Sequence, residues 1–165
     1  MSLSIVDDHE VIYRFLSQGL ISTSKNPPKL RSNLIFYDKR EPLSCSMARP
    51  RIQNDNELKI VAKGFNTFRG FASLAVNDIP KETITLNADG VPFKAHVNMN
   101  YDNVFELEDK ESIHPDLAIL CRKLLSQSII KVDDNPDSVV FTYKEYSPSG
   151  QNLKALTLTP KNDED

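Results

Sequence analysis

A chain of 165 residues with 39% hydrophobic and 26% charged residues is long enough to bury a core without metal or disulfide staples, and one domain is its default organisation. It contains no long apolar run and no basic-then-apolar leader, which argues against a membrane-spanning or exported protein and for the cytoplasm. The net charge of −3 is unevenly spread: Lys25 to Arg69 hold ten of the twenty Lys and Arg residues against four acids, a local +6 against −9 elsewhere. That balance disfavours a protein dedicated to long DNA and leaves a nucleotide-containing ligand, a short RNA end or an acidic protein surface.

Val11-Ile12-Tyr13 and Phe15-Leu16, rich in β-branched and aromatic residues, predict a first strand. The turn formers Ser22 to Asn26 and the pair Pro27-Pro28 then make a loop, and Leu34-Ile35-Phe36-Tyr37 reads as a second strand. Asn54 or Asp55 is placed to cap a short helix through Glu57, Leu58, Ile60, Val61 and Ala62, ended by Gly64; Lys59 and Lys63 then share one face, projecting into solvent. Phe71 to Val76 is a near-continuous apolar run, and Glu82 to Asn87 alternates as a half-buried strand does. Asp89-Gly90 signals a turn into Phe93 to Met99, where Phe93, Ala95, Val97 and Met99 share one face and Lys94, His96 and Asn98 the other.

The clearest helix starts near Ser112 or His114-Pro115, with Leu117, Leu120, Cys121, Leu124 and Leu125 at helical spacing, and it covers a sheet. Asp133 to Asp137 marks a turn, Ser138 to Tyr146 alternates as a strand, and Ser147 to Gly150 is a break. The expected fold is α+β, a mainly antiparallel or mixed sheet of five or six strands with two or three helices. Residues 1–160 form the domain and 161–165 a frayed acidic tail. Cys45 and Cys121 belong to no paired motif and read as buried, reduced thiols.

Tyr13-Arg14, Leu43-Ser44, Gly70-Phe71-Ala72-Ser73-Leu74 and a proline-containing turn leading into Ala95-His96 are four stations spread over residues 9–98. Their layout resembles that of a family of small, functionally uncharacterised bacterial proteins, with departures at Phe15 and at Phe93-Lys94. The resemblance implies a bacterial cytoplasmic protein, carries no activity with it, and picks out Arg14, Ser44 and His96.

His96 sits on the polar face of its strand, from which an imidazole can act as acid or base near neutral pH. Arg14 interrupts an apolar run, where a guanidinium either forms an ion pair or grips phosphate or carboxylate. Ser44 and Ser46 flank Cys45 on one face of an extended segment, without a glycine-framed elbow. Arg14, Ser22-Thr23-Ser24 and Glu106-Leu107-Glu108 follow the order seen in arginine-serine-glutamate ADP-ribosyltransferases, but the short separation of Arg14 from the serines leaves no room for the intervening elements. His9, His96 and His114 are scattered, and Glu106, Glu108, Asp109 and Glu111 lack calcium-loop spacing, so neither metal nor cofactor is expected.

The charge distribution favours a binding or accessory protein that recognises an anionic partner, a protein surface or a nucleotide-containing ligand, through Arg49, Arg51, Lys59 and Lys63. One alternative is a small enzyme acting on a nucleotide or nucleic acid, with Arg14 as anion clamp and His96 as acid–base residue. A further alternative is a subunit of an oligomeric or toxin-neutralising assembly.

Overall fold

Strands in this chain are dictated by side chains that alternate between two apolar layers. A computed structural model describes residues 5–24, 27–38, 40, 43–102 and 113–149. Its strands are β1 (Val11–Ser17), β2 (Ile21–Ser22), β3 (Lys29–Leu30), β4 (Ser44–Ala48), β5 (Phe68–Ala75), β6 (Ile84–Asn87), β7 (His96–Tyr101), β8 (Ile129–Asp133) and β9 (Tyr143–Tyr146). Helix α1 (Asp55–Phe65) joins β4 to β5, and helix α2 (Pro115–Gln127) precedes β8. Seven strands form one antiparallel sheet in the order β6-β7-β4-β1-β5-β8-β9, while β2 and β3 make a separate small hairpin. The α+β class is as expected, but the main sheet exceeds five or six strands because the interior strands recruit short edge strands on both sides.

On one face, Ile12, Leu16, Met47, Leu74, Val97, Met99 and Ile130 pack with Leu117, Cys121 and Leu124 of α2. On the other, Tyr13, Ala48, Phe71 and Phe141 pack with Leu58 and Ala62 of α1. One helix thus covers each face, and neighbouring residues of each strand serve opposite layers. Gly70 lets β5 meet β8, since a Cβ there would collide with the carbonyl oxygen of Lys131.

Local signals hold where they are complete. Asn54 caps α1 in a reciprocal capping box with Glu57, at 2.9 and 3.2 Å, and His114 caps α2 ahead of Pro115. Three strand expectations fail wholly or in part. Residues 93–95 form a turn before β7, and Phe93 and Ala95 join the α1 layer while Val97 and Met99 enter the other, because the alternation begins only at His96. Residues 34–37 are a loop whose Ile35 and Phe36 are fully buried, anchored by the Tyr101 hydroxyl donating to the Phe36 carbonyl. Apolarity there reflects burial, not pairing. Within 138–146 only Tyr143–Tyr146 pairs, because the carbonyl of Val140 and the amide of Phe141 bond to α1 side chains, Lys59 and Asn56. Both cysteines are buried; burial raises the pKa of Cys45 and pushes Cys121 up to about 11, which keeps them as thiols. The acidic cluster 106–111, Ser112 and the tail 161–165 lie outside the described residues.

Lys59 does not project into solvent. It is fully buried, donates to the carbonyls of Asn135 and Val140 at 2.8 and 3.0 Å, and lies 2.9 Å from the equally buried Asp133 carboxylate. Its protons are directed at the carbonyls, so Asp133 is held by charge more than by an aligned hydrogen bond. Lys63 donates to the Pro136 carbonyl at 2.9 Å. Together they fasten α1 to the β8–β9 connection. Arg49 plays the same part at the other end of β4: it grips Glu10 through two hydrogen bonds of 2.9 and 2.8 Å, both side chains buried, and Arg51 approaches Glu10 at 3.6 Å.

Two predictions follow from these pairs. Lys59→Met strands the Asp133 charge in an apolar layer and is expected to destabilise the fold by about 3–5 kcal/mol in denaturant titration. Burial opposes ionisation of Glu10, but hydrogen bonds from Arg49 and the Asp7 amide prevail and hold its pKa below the ordinary 4.5. A depressed folded value means that this stabilisation is complete above about pH 4.5 and is lost as pH falls through the folded value. Glu10→Gln is therefore expected to weaken the protein at pH 7 and to flatten its acid dependence below pH 4.5, checked by denaturation curves at both ends.

Candidate functional site

Alternation places a serine and a histidine side by side on the α1 face of the sheet. In β4, Cys45 and Met47 enter the α2 layer, so Ser46 turns the other way; in β7, Val97 and Met99 enter it, so His96 and Asn98 turn with Ser46. The register sets Ser46 opposite Asn98 and Ala48 opposite His96, which makes Ser46 and His96 diagonal neighbours within reach of each other. His96 Nε2 is 3.2 Å from Ser46 Oγ.

The connection from β6 to β7 supplies the third member. Gly90, with a φ of 67° that favours glycine, donates its N–H to the His96 carbonyl at 3.3 Å, and this curl returns Asp89 to the imidazole. Asp89 Oδ1 lies 2.6 Å from His96 Nδ1. Val91 N–H and Asn98 Nδ2 donate to the same carboxylate at 3.3 and 3.4 Å. Burial opposes ionisation of Asp89, yet the hydrogen bonds from His96 and Val91 outweigh it and depress its pKa. A carboxylate can only accept, so in the neutral imidazole the tautomer that fits both contacts carries its proton on Nδ1 and offers Nε2 as acceptor to the Ser46 hydroxyl. The order Asp89, His96, Ser46 is that of an orienting acid, a base and a nucleophile.

Ser46 and His96 border a cleft of about 570 Å³, and Asp89 stands behind the imidazole outside the lining. Among the described residues β1 and β4 pair only at Tyr13–Ala48, and the cleft follows the split where the two strands part. Arg14 stands in this split, donating from Nε to the Ile35 carbonyl at 3.0 Å and from Nη1 to the Ser46 carbonyl at 3.4 Å. Arg40 and Asp38, 3.4 Å apart, form a rim; burial opposes ionisation of Asp38, but hydrogen bonds from Arg40 keep its pKa low. Phe93 meets His96 edge-on at 5.3 Å between ring centroids, and Phe15 and Phe65 lie against Phe93 at 5.6 and 6.1 Å. The opposite wall is therefore aromatic.

Of the residues singled out by sequence, Arg14 and His96 line the same cleft. Ser44 stands two positions earlier on β4, opposite Asn100 and outside the cleft lining; Ser46 is the serine that meets the histidine. Arg49, Arg51, Lys59 and Lys63 do not line it either, and their partners are Glu10, Asp133 and backbone carbonyls. Ser22 and Ser24 bond to each other in the small hairpin at 3.1 Å. The sequence marks Asp89 as turn chemistry alone; its position seven residues before a strand histidine is the available signal. The four sequence stations fall on β1, β4, β5 and β7, the four adjacent strands around the split.

Among the described residues, no three His, Cys, Asp or Glu side chains gather to hold a metal ion, and no helix is long and apolar enough to cross a membrane. A proton shared between Asp89 and His96 is expected to give a slowly exchanging, low-field imidazole N–H resonance in histidine-labelled protein, and Asp89→Asn is expected to shift or abolish it. Comparison with known protein families, with curated proteins and with solved structures finds no match to this chain.

Proposed function

We propose that the chain is a small enzyme of the hydrolase or acyl-transfer type, with Ser46 as nucleophile, His96 as general base and then acid, and Asp89 as the group that orients the imidazole. The observation that carries this reading is the continuous Asp89–His96–Ser46 hydrogen-bond order, at 2.6 and 3.2 Å, bordering the cleft that Arg14 enters. Ser46 Oγ attacks a carbonyl carbon while its proton passes to His96 Nε2. Collapse of the tetrahedral adduct breaks the bond to the leaving oxygen, which takes that proton, and leaves an acyl group on Ser46. Water activated by His96 then releases the acid and restores the hydroxyl.

Strand alternation supports a place for the negative oxygen. The amides of Leu43, Cys45, Met47 and Arg49 lie at the positions that bond to β7 and its N-terminal extension, so the Ser46 N–H is directed towards β1, the side on which the Arg14 guanidinium reaches the Ser46 carbonyl. Preorganised donors there would favour charge developing on the carbonyl oxygen.

Anion recognition is retained in this reading but moves from Arg49, Arg51, Lys59 and Lys63 to Arg14 and Arg40. Expected outcomes follow for a general serine-reactive fluorophosphonate: one equivalent adds to Ser46, located by peptide mass spectrometry, and Ser46→Ala abolishes labelling. His96→Ala is expected to lower the labelling rate by about 10²–10⁴-fold with the fold intact by circular dichroism. Labelling that survives Ser46→Ala at the wild-type rate overturns the assignment.

A further inference from the structure

Resting on the acyl-transfer reading, we infer the substrate class of the cleft: an ester whose acyl part carries a carboxylate or similar anionic group and whose alcohol part is flat and apolar. The two ends of the site differ in chemistry, and the order of the catalytic groups says which end of the substrate lies where. Arg14 is tied to the backbone carbonyl of the nucleophile residue itself, 3.4 Å from the Ser46 oxygen. Two of its five N–H donors are used by the described residues, on Ile35 and Ser46, so a donor edge remains for a ligand. Arg40, 90% exposed, adds a second positive charge at the rim, with Asp38 as the single acid among the cleft-lining residues. With Arg40 paired to Asp38 and Asp89 engaged by His96, the lining carries one net positive charge, that of Arg14 at the Ser46 carbonyl, which suits a carboxylate on the acyl side.

His96 must hand its proton to the departing oxygen, so the alcohol part of the ester lies on the imidazole side. That side is walled by Phe93, edge-on to the imidazole at 5.3 Å, backed by Phe15, and extended outward by Phe65, which is 61% exposed at the end of α1. An exposed phenylalanine beside two partly buried ones offers an open stacking surface. A cleft of about 570 Å³ accommodates a ligand of that size, with the acyl anion at one end and the ring at the other.

The test separates binding from turnover. Succinanilic acid and butyranilide share a ring and differ in the terminal carboxylate; both are titrated calorimetrically into Ser46→Ala protein, with and without Arg14→Gln. The expected result is at least about tenfold tighter binding of the acid at low salt, collapsing to near parity with Arg14→Gln, and weaker binding of both with Phe65→Ala. Equal or tighter binding of the neutral anilide overturns the proposal whether or not the protein is an enzyme. Turnover is followed in parallel on the 4-nitrophenyl esters of succinate and butyrate. A tenfold or greater kcat/KM preference for the succinate ester, reduced towards unity by Arg14→Gln, is expected; Ser46-dependent hydrolysis without that preference removes the substrate class and leaves the hydrolase reading standing. Charge-selective binding without any Ser46-dependent hydrolysis removes the hydrolase reading and, with it, the assignment of acyl and alcohol ends.

Discussion

After Tyr13 meets Ala48, β1 and β4 part, and that divergence between two central strands of the sheet opens the cleft lined by Arg14, Ser46 and His96. Each strand stays paired on its other side, β1 with β5 over seven positions and β4 with β7 over five, so the separation is rigid. Backbone groups left facing the split need partners. The guanidinium of Arg14 supplies one to the Ser46 carbonyl and at the same time holds the Ile35 carbonyl of the neighbouring loop, which takes a long side chain with several donors. A residue that interrupts an apolar strand in the sequence is thereby explained by the same event that opens the cleft.

Two of the ion pairs in this protein are internal. Arg49 with Glu10 and Lys59 with Asp133 are buried pairs, placed where β4 leaves the sheet and where α1 crosses the β8–β9 connection. Such pairs contribute modestly to net stability but are costly to break singly, so they act as locks on geometry. Two of the ten cations between Lys25 and Arg69, Arg49 and Lys59, are taken up by these locks.

Elements encoded by contiguous residues were legible in the sequence: the capping box at Asn54 and Glu57, the proline start of α2, and the alternation in β7 that put His96 and Asn98 on one face. What depended on distant partners was not. Ile35 and Phe36 carry strand composition yet are buried in a loop, because burial and pairing demand the same residue types. Lys59 has the pattern of a solvent-facing helix residue, and only the carbonyls of Asn135 and Val140, some 80 positions on, make a home for it inside. Ser44 and Ser46 are equivalent by alternation, and the register of β4 against β7 alone decides which meets His96. Asp89 reads as half of an Asp-Gly turn; its second role needs the chain to double back.

Phe65 closes the last turn of α1, two residues beyond Lys63 and six beyond Lys59, the two side chains that fasten this helix to residues 135–140. The same last turn therefore anchors on the β8–β9 connection through Lys63 and carries Phe65 against Phe93, so a single helical turn joins the far edge of the sheet to the aromatic wall of the cleft. The strands that bear Ser46 and His96 are paired with each other without any contribution from that turn.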